Sequence, residues 1–150
     1  MGRIDMNWSW FGVKTIYRIE AFGRPQAIDS AYDPDATLIE ERIVLFRARS
    51  FDEAIRRAEK EATQYAASQH RNPYGQTVKM RYLKSCDAFL MDESPGVSVE
   101  VFSATEVVHK QIPDDEILDS KLGKQRGSND RQQRLKFLHQ ELAGTAPKNS

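Results

Sequence analysis

The chain holds a single cysteine, Cys86, among its 150 residues, so no intramolecular disulfide can form. One unpaired thiol fits a reducing compartment. No apolar run approaches the roughly 20 residues that span a bilayer. Residues 1–6 lack the apolar core of a signal peptide. These absences predict a cytoplasmic protein with no membrane partner. Net charge is absent too, because 22 Lys and Arg balance 22 Asp and Glu. A sequence-independent nucleic-acid binder draws its affinity from excess positive charge and counterion release, so the balance argues against nucleic acid as a partner. His70, His109 and His139 stand far apart, with no His-x-x-x-His or Cys-x-x-Cys pair that would announce a metal site. Gly12, Gly23, Gly75 and Gly96 are isolated, so no glycine-rich phosphate loop exists. Neither metal nor cofactor is expected.

What is present is a pattern of strands around one helix. Phe11, Val13, Thr15, Tyr17, Ile19 and Ala21 recur at period two and predict a strand over residues 8–22. A loop rich in Gly, Pro and Asp follows to Thr37. A second strand is expected over Leu38–Arg49, whose continuous Ile43-Val44-Leu45-Phe46 suits a strand covered on both faces. Ser50 with Glu53 three residues on reads as a capping box. Phe51, Ala54, Ile55, Ala58, Ala62, Tyr65 and Ala66 then repeat at helical spacing, predicting a helix over Phe51–His70 that Pro73 stops. The alanines on that stripe imply close packing against a sheet. Alternation predicts a third strand over Gln76–Met91, interrupted at Lys84. The spacing of Val97, Val99 and Val101 predicts a fourth over Val97–Val108. The expected fold class is α+β: a four-stranded antiparallel sheet in the order β-β-α-β-β, with one long helix on one face. The domain is placed at residues 8–109. A polar extension over 110–150 carries short helices, one at Asp114–Leu122 and one near Ser128–Leu142.

Catalytic patterns are weak. Cys86 alternates with Tyr82 and Ala88 on an apolar strand face, as a core thiol does, without a neighbouring base to activate it. Glu20, Glu40, Glu41 and Glu100 could meet across strands. Arg18, Arg42, Arg47 and Arg49 lie as near in sequence, and cross-strand ion pairs explain both sets. Contact-making residues stand out more. Trp8 and Trp10 begin the first strand, and Arg47 and Arg49 end the second. Leu135, Leu138 and Leu142 form a helical stripe with Phe137 beside it. Exposed Trp and Arg anchor protein interfaces, and an amphipathic stripe can dock into a groove.

Three segments together resemble a known bacterial family. They are Trp10-Phe11-Gly12-Val13-Lys14, the run from Glu40 to Ala48 leading into Ser50-Phe51-Asp52-Glu53-Ala54, and Glu100-Val101-Phe102-Ser103. The family is domain of unknown function 4288, and the resemblance covers residues 8 to 105. It implies no catalytic residues. By analogy with other small bacterial families, it suggests an immunity-type role. The expected function is a non-catalytic protein-binding module, an inhibitor of a bacterial toxin or effector. Its partner-binding residues would be Trp8, Trp10, Arg47, Arg49, Leu135, Phe137, Leu138 and Leu142. Two alternatives stay open. One is a nucleic-acid-associated or hydrolytic accessory using the sheet-face carboxylates and arginines. The other is a structural protein that associates with a second copy of itself.

Overall fold

Alternation of large and polar side chains drives the chain into extended strands wherever one face can be buried. In a computed structural model that describes residues 8–123, β1 covers Ser9–Phe22, β2 Leu38–Ala48, α1 Phe51–Tyr65, β3 Gln69–Arg71, β4 Thr77–Leu90 and α2 Asp114–Leu122. The fold is α+β, with one four-stranded sheet in the order β2-β1-β4-β3. Strands β1 and β2 pair antiparallel from Ser9↔Ala48 to Ile19↔Leu38. Strand β4 runs opposite to β1 on its other side. The Met91 N–H donates to the Trp10 carbonyl at 2.9 Å at one end, and Arg81 pairs with Glu20 at 3.5 Å toward the other.

Two compact units divide these residues: 8–20, 37–69 and 79–104 in one, and 21–36, 70–78 and 105–123 in the other. In the first, the odd residues of β1 face α1. Phe11 and Val13 pack with Ala48, Ala54 and Ala58, and Tyr17 packs with Ala62 and Tyr82. Ala54, Ala58 and Ala62 are all buried, and their missing side chains let the helix sit close on the sheet. The Ser50 hydroxyl caps α1 by accepting from the Glu53 N–H at 3.1 Å. The returning Glu53 carboxylate takes the Arg49 N–H at 3.4 Å, one residue before the cap. Cys86 packs partly buried against the Phe11 cluster. Burial pushes its thiol above the ordinary range, with Glu59 and Asp87 adding to the shift and the Tyr82 hydroxyl opposing it.

The second unit shows that the segment after β1 is no bare loop. The Tyr74 hydroxyl donates to Asp29 Oδ1 at 2.6 Å, and the Tyr74 ring meets Tyr32 edge-on at 5.2 Å. The Gln76 side-chain amide donates to the Gly23 carbonyl at 2.9 Å. Asn72 Oδ1 accepts the N–H groups of Tyr74 and Gln76 and so closes the turn between β3 and β4. Gly75 there adopts φ +82°, a left-handed conformation that suits glycine.

Two expectations need correction. The long helix ends at Tyr65 rather than His70. His70, the expected last residue of the helix, lies in β3 instead. No strand forms over Val97–Val108. Val97 is 96 % exposed and Ser98 sits at φ 60°. The segment instead crosses the sheet, bringing the Val101 carbonyl over Gly12. The third predicted strand is therefore β4, and it pairs with β1 and β3. Helix α2 falls where the sequence places it. Among the described residues no helix is long and apolar enough to cross a membrane.

Candidate functional site

Register decides which predicted contact residues meet. Odd residues of β1 face α1, so even residues of β1 and odd residues of β2 share the opposite face. Trp10 lies directly across from Arg47 in the β1–β2 ladder. Trp8 and Arg49 continue past that pair at the same end. The Arg49 guanidinium sits 4.8 Å from the Trp8 ring centre, and that of Arg47 sits 6.0 Å from it. Trp8 is 37 % exposed, and Trp10 is half-buried. Glu53 draws Arg49 (3.8 Å) and Arg57 (3.9 Å) toward the helix start, and Arg57 donates to the Arg47 carbonyl at 2.5 Å. Two guanidinium groups thus flank the Glu53 carboxylate, and Arg47 adds a third cation beside the open indole. The local charge is positive on a chain whose total is zero. Such a patch offers stacking, apolar contact and forked hydrogen bonds to an acidic surface. The other predicted contact residues, Leu135, Phe137, Leu138 and Leu142, lie outside the described residues.

The candidate carboxylates do not converge. Glu20 pairs with Arg81 and Glu41 pairs with Lys14. Glu40 points to the other face, where it accepts the Tyr65 hydroxyl at 2.5 Å. Glu100 shares an open hollow of about 230 Å³ with Phe89, Asp92, Glu93, Ser98 and Val99. Asp92, Glu93 and Glu100 are exposed. Among the described residues no group of three or more His, Cys, Asp or Glu side chains is placed to hold a metal ion.

A second cluster escaped the sequence. On the helix side of β2, Arg42 donates to Glu61 Oε1 at 2.7 Å and Oε2 at 3.2 Å, and to the Tyr17 hydroxyl at 3.0 Å. Its guanidinium lies 3.5 Å from the Tyr65 ring centre. The Tyr17 and Thr15 hydroxyls share a bond of 2.7 Å. Burial works against the Arg42 charge, but the bonds to Glu61 and Tyr17 outweigh it and raise its pKa. The parity of Arg42 with Val44 and Phe46 already assigns it to the helix face. Nothing in the sequence reveals that Glu61 and Tyr65 wait above it.

This cluster carries a pH prediction. The bond to Glu40, followed by burial, pushes the Tyr65 hydroxyl from its ordinary value near 10 to about 12. Burial above all raises Tyr82 as well. A phenol that holds its proton more tightly when folded stabilises the fold fully below pH 10. That contribution is lost as pH rises toward 12, because the unfolded chain then binds fewer protons than the native one. Denaturant midpoints measured from pH 9 to 12 should fall across this window. The fall should be shallower in Tyr65→Phe, and an identical slope in that variant would contradict the assignment.

Fold and patch together define an α+β domain with an antiparallel sheet, one packed helix and a cationic aromatic surface at one sheet end. The chain belongs to the family described as Domain of unknown function (DUF4288), whose model matches residues 10–103. That match holds Trp10, Arg47, Arg49 and the segment that crosses Gly12. No curated protein and no solved structure matches the chain.

Proposed function

We propose that this chain is a non-catalytic protein-binding module that takes an acidic partner surface at Trp8, Arg47 and Arg49. The observation that carries the proposal is the exposed Trp8 ring beside two guanidinium groups, at 4.8 and 6.0 Å. Trp and Arg are the residues most enriched among those that dominate binding energy. An indole also keeps neighbouring guanidinium planes oriented for carboxylates. The paired state of Glu20, Glu40 and Glu41 supports binding over acid–base chemistry. In its immunity-type form the role is that of a bacterial, cytoplasmic inhibitor whose partner is a toxin or effector.

The test titrates purified products of the genes flanking its own against the chain and against Trp8→Ala and Arg49→Ala. One product should bind, with an association rate that falls as salt rises. Each substitution should weaken binding by about tenfold or more. Binding indifferent to Trp8 and Arg49, or no flanking product that binds, would sink the proposal.

A further inference from the structure

Strand β2 is an edge of the sheet, and two hydrogen bonds reveal which of its peptide groups are occupied. The Met91 N–H reaches the Trp10 carbonyl, so Trp10 turns its peptide groups toward β4. The Thr37 hydroxyl donates to the Ile19 carbonyl at 2.9 Å, so Ile19 turns toward β2. Direction alternates along a strand. The odd residues of β1 therefore bond to β2, and their partners are Leu38, Glu40, Arg42, Val44 and Phe46. Ile39, Glu41, Ile43, Leu45 and Arg47 are left with their N–H and C=O groups aimed at the open edge. Side chains of α1 occupy only its far end. Arg57 takes the Arg47 carbonyl, and Glu53 takes the next outward N–H, that of Arg49. Among the described residues nothing else bonds to this row.

The side chains of the row share the face away from α1. Ile39 and Ile43 are 45 % and 44 % exposed. Glu41 pairs with Lys14. Arg47 has no carboxylate within ion-pair distance among the described residues. An edge of unpaired peptide groups is a template for another strand.

We infer that β2 pairs antiparallel with β2 of a second copy of this chain, about a two-fold axis. The register places Ile43 opposite Leu45 of the second copy and Glu41 opposite Arg47 of the second copy. Two-fold symmetry makes each contact twice. Charge complementarity selects this register, because opposite charges directly across adjacent strands stabilise pairing. A shift of two residues one way sets Glu41 against Leu45. A shift the other way leaves Arg47 opposite Ile43 and sets Glu41 against Arg49, whose N–H Glu53 already holds. Arg57 releases the Arg47 carbonyl when the strands meet and keeps Glu53 as its partner. This surface shares only Arg47 with the acidic-partner reading, since the pairs that set the register use neither Trp8 nor Arg49.

Light scattering and sedimentation of the full chain over a range of concentrations test the inference. A concentration-dependent dimer is expected. Ile43→Pro should abolish it without changing far-UV circular dichroism, because the Ile43 N–H faces outward and proline is tolerated at such edge positions. Glu41→Arg and Arg47→Glu should each weaken the dimer by about tenfold or more, and the two together should restore it. Should Ile43→Pro fail to fold, the charge exchange decides. Trp8→Ala and Arg49→Ala should leave the dimer intact, which separates this result from that of the binding patch. A monomer at every concentration overturns the inference and leaves the edge to another protein's strand or to residues of the chain itself. So does a dimer that survives in well-folded Ile43→Pro, or a charge exchange that restores nothing.

Discussion

Gly12→Ala should cost about 2–3 kcal/mol of folding stability, although alanine ordinarily suits a strand better than glycine. The reason is a tertiary approach. A Cβ added to Gly12 would lie 1.8 Å from the Val101 carbonyl oxygen and 3.0 Å from its carbon. Both are backbone atoms, so no rotamer change relieves the clash. The crossing segment must lift from the sheet. It is held there by the Phe102 ring, 6.2 Å from Phe89, with Lys14 Nζ 5.8 Å away. Urea denaturation should show the loss, and amide exchange should accelerate over residues 99–103. Unchanged or raised stability would mean that these residues do not lie across Gly12.

Arg42→Met should be nearly as damaging, at about 2–3 kcal/mol, because it strips partners from groups that are only partly solvated. The methionine fills much of the same volume but leaves Glu61 without its cation, removes the guanidinium bond to the Tyr17 hydroxyl and bares the Tyr65 face. The side chains of Arg42 and Glu61 are 24 % and 30 % exposed, so water screens part of the loss and holds the figure below that of a fully buried pair. Arg42→Lys should recover little, because an ammonium keeps the charge but neither stacks flat on a ring nor forks between two acceptors. A cycle combining Arg42→Met with Glu61→Gln should give a coupling of about 1 kcal/mol or more. Additive losses would show that the two side chains act independently.

These two sites mark where sequence reading stops. Gly12 is plain in the Trp10-Phe11-Gly12-Val13-Lys14 motif, yet its requirement comes from a carbonyl some ninety positions later. The alternation of Val97, Val99 and Val101 has the period of a strand. Period alone does not reveal whether the segment lies beside a neighbour or crosses over it. The helix stripe continues past Tyr65 into Ala66, so the pattern overruns the true end. Gln69–Arg71 has little strand preference of its own and becomes β3 because the Asn72–Gln76 turn folds it back on β4. The candidate site divides in the same way. Trp8, Arg47 and Arg49 were recognisable as contact chemistry, and antiparallel register is what joins them.

Local information was enough to specify β1, β2, the Ser50 cap, the alanine stripe of α1 and the place of α2, since periodicity and capping act within a few residues. Long-range geometry supplied the strand order, the passage of residues 97–103 over Gly12, the Arg42 cluster and the open edge of β2. Each of these depends on groups far apart in the chain meeting in space, and a one-dimensional pattern does not encode distance.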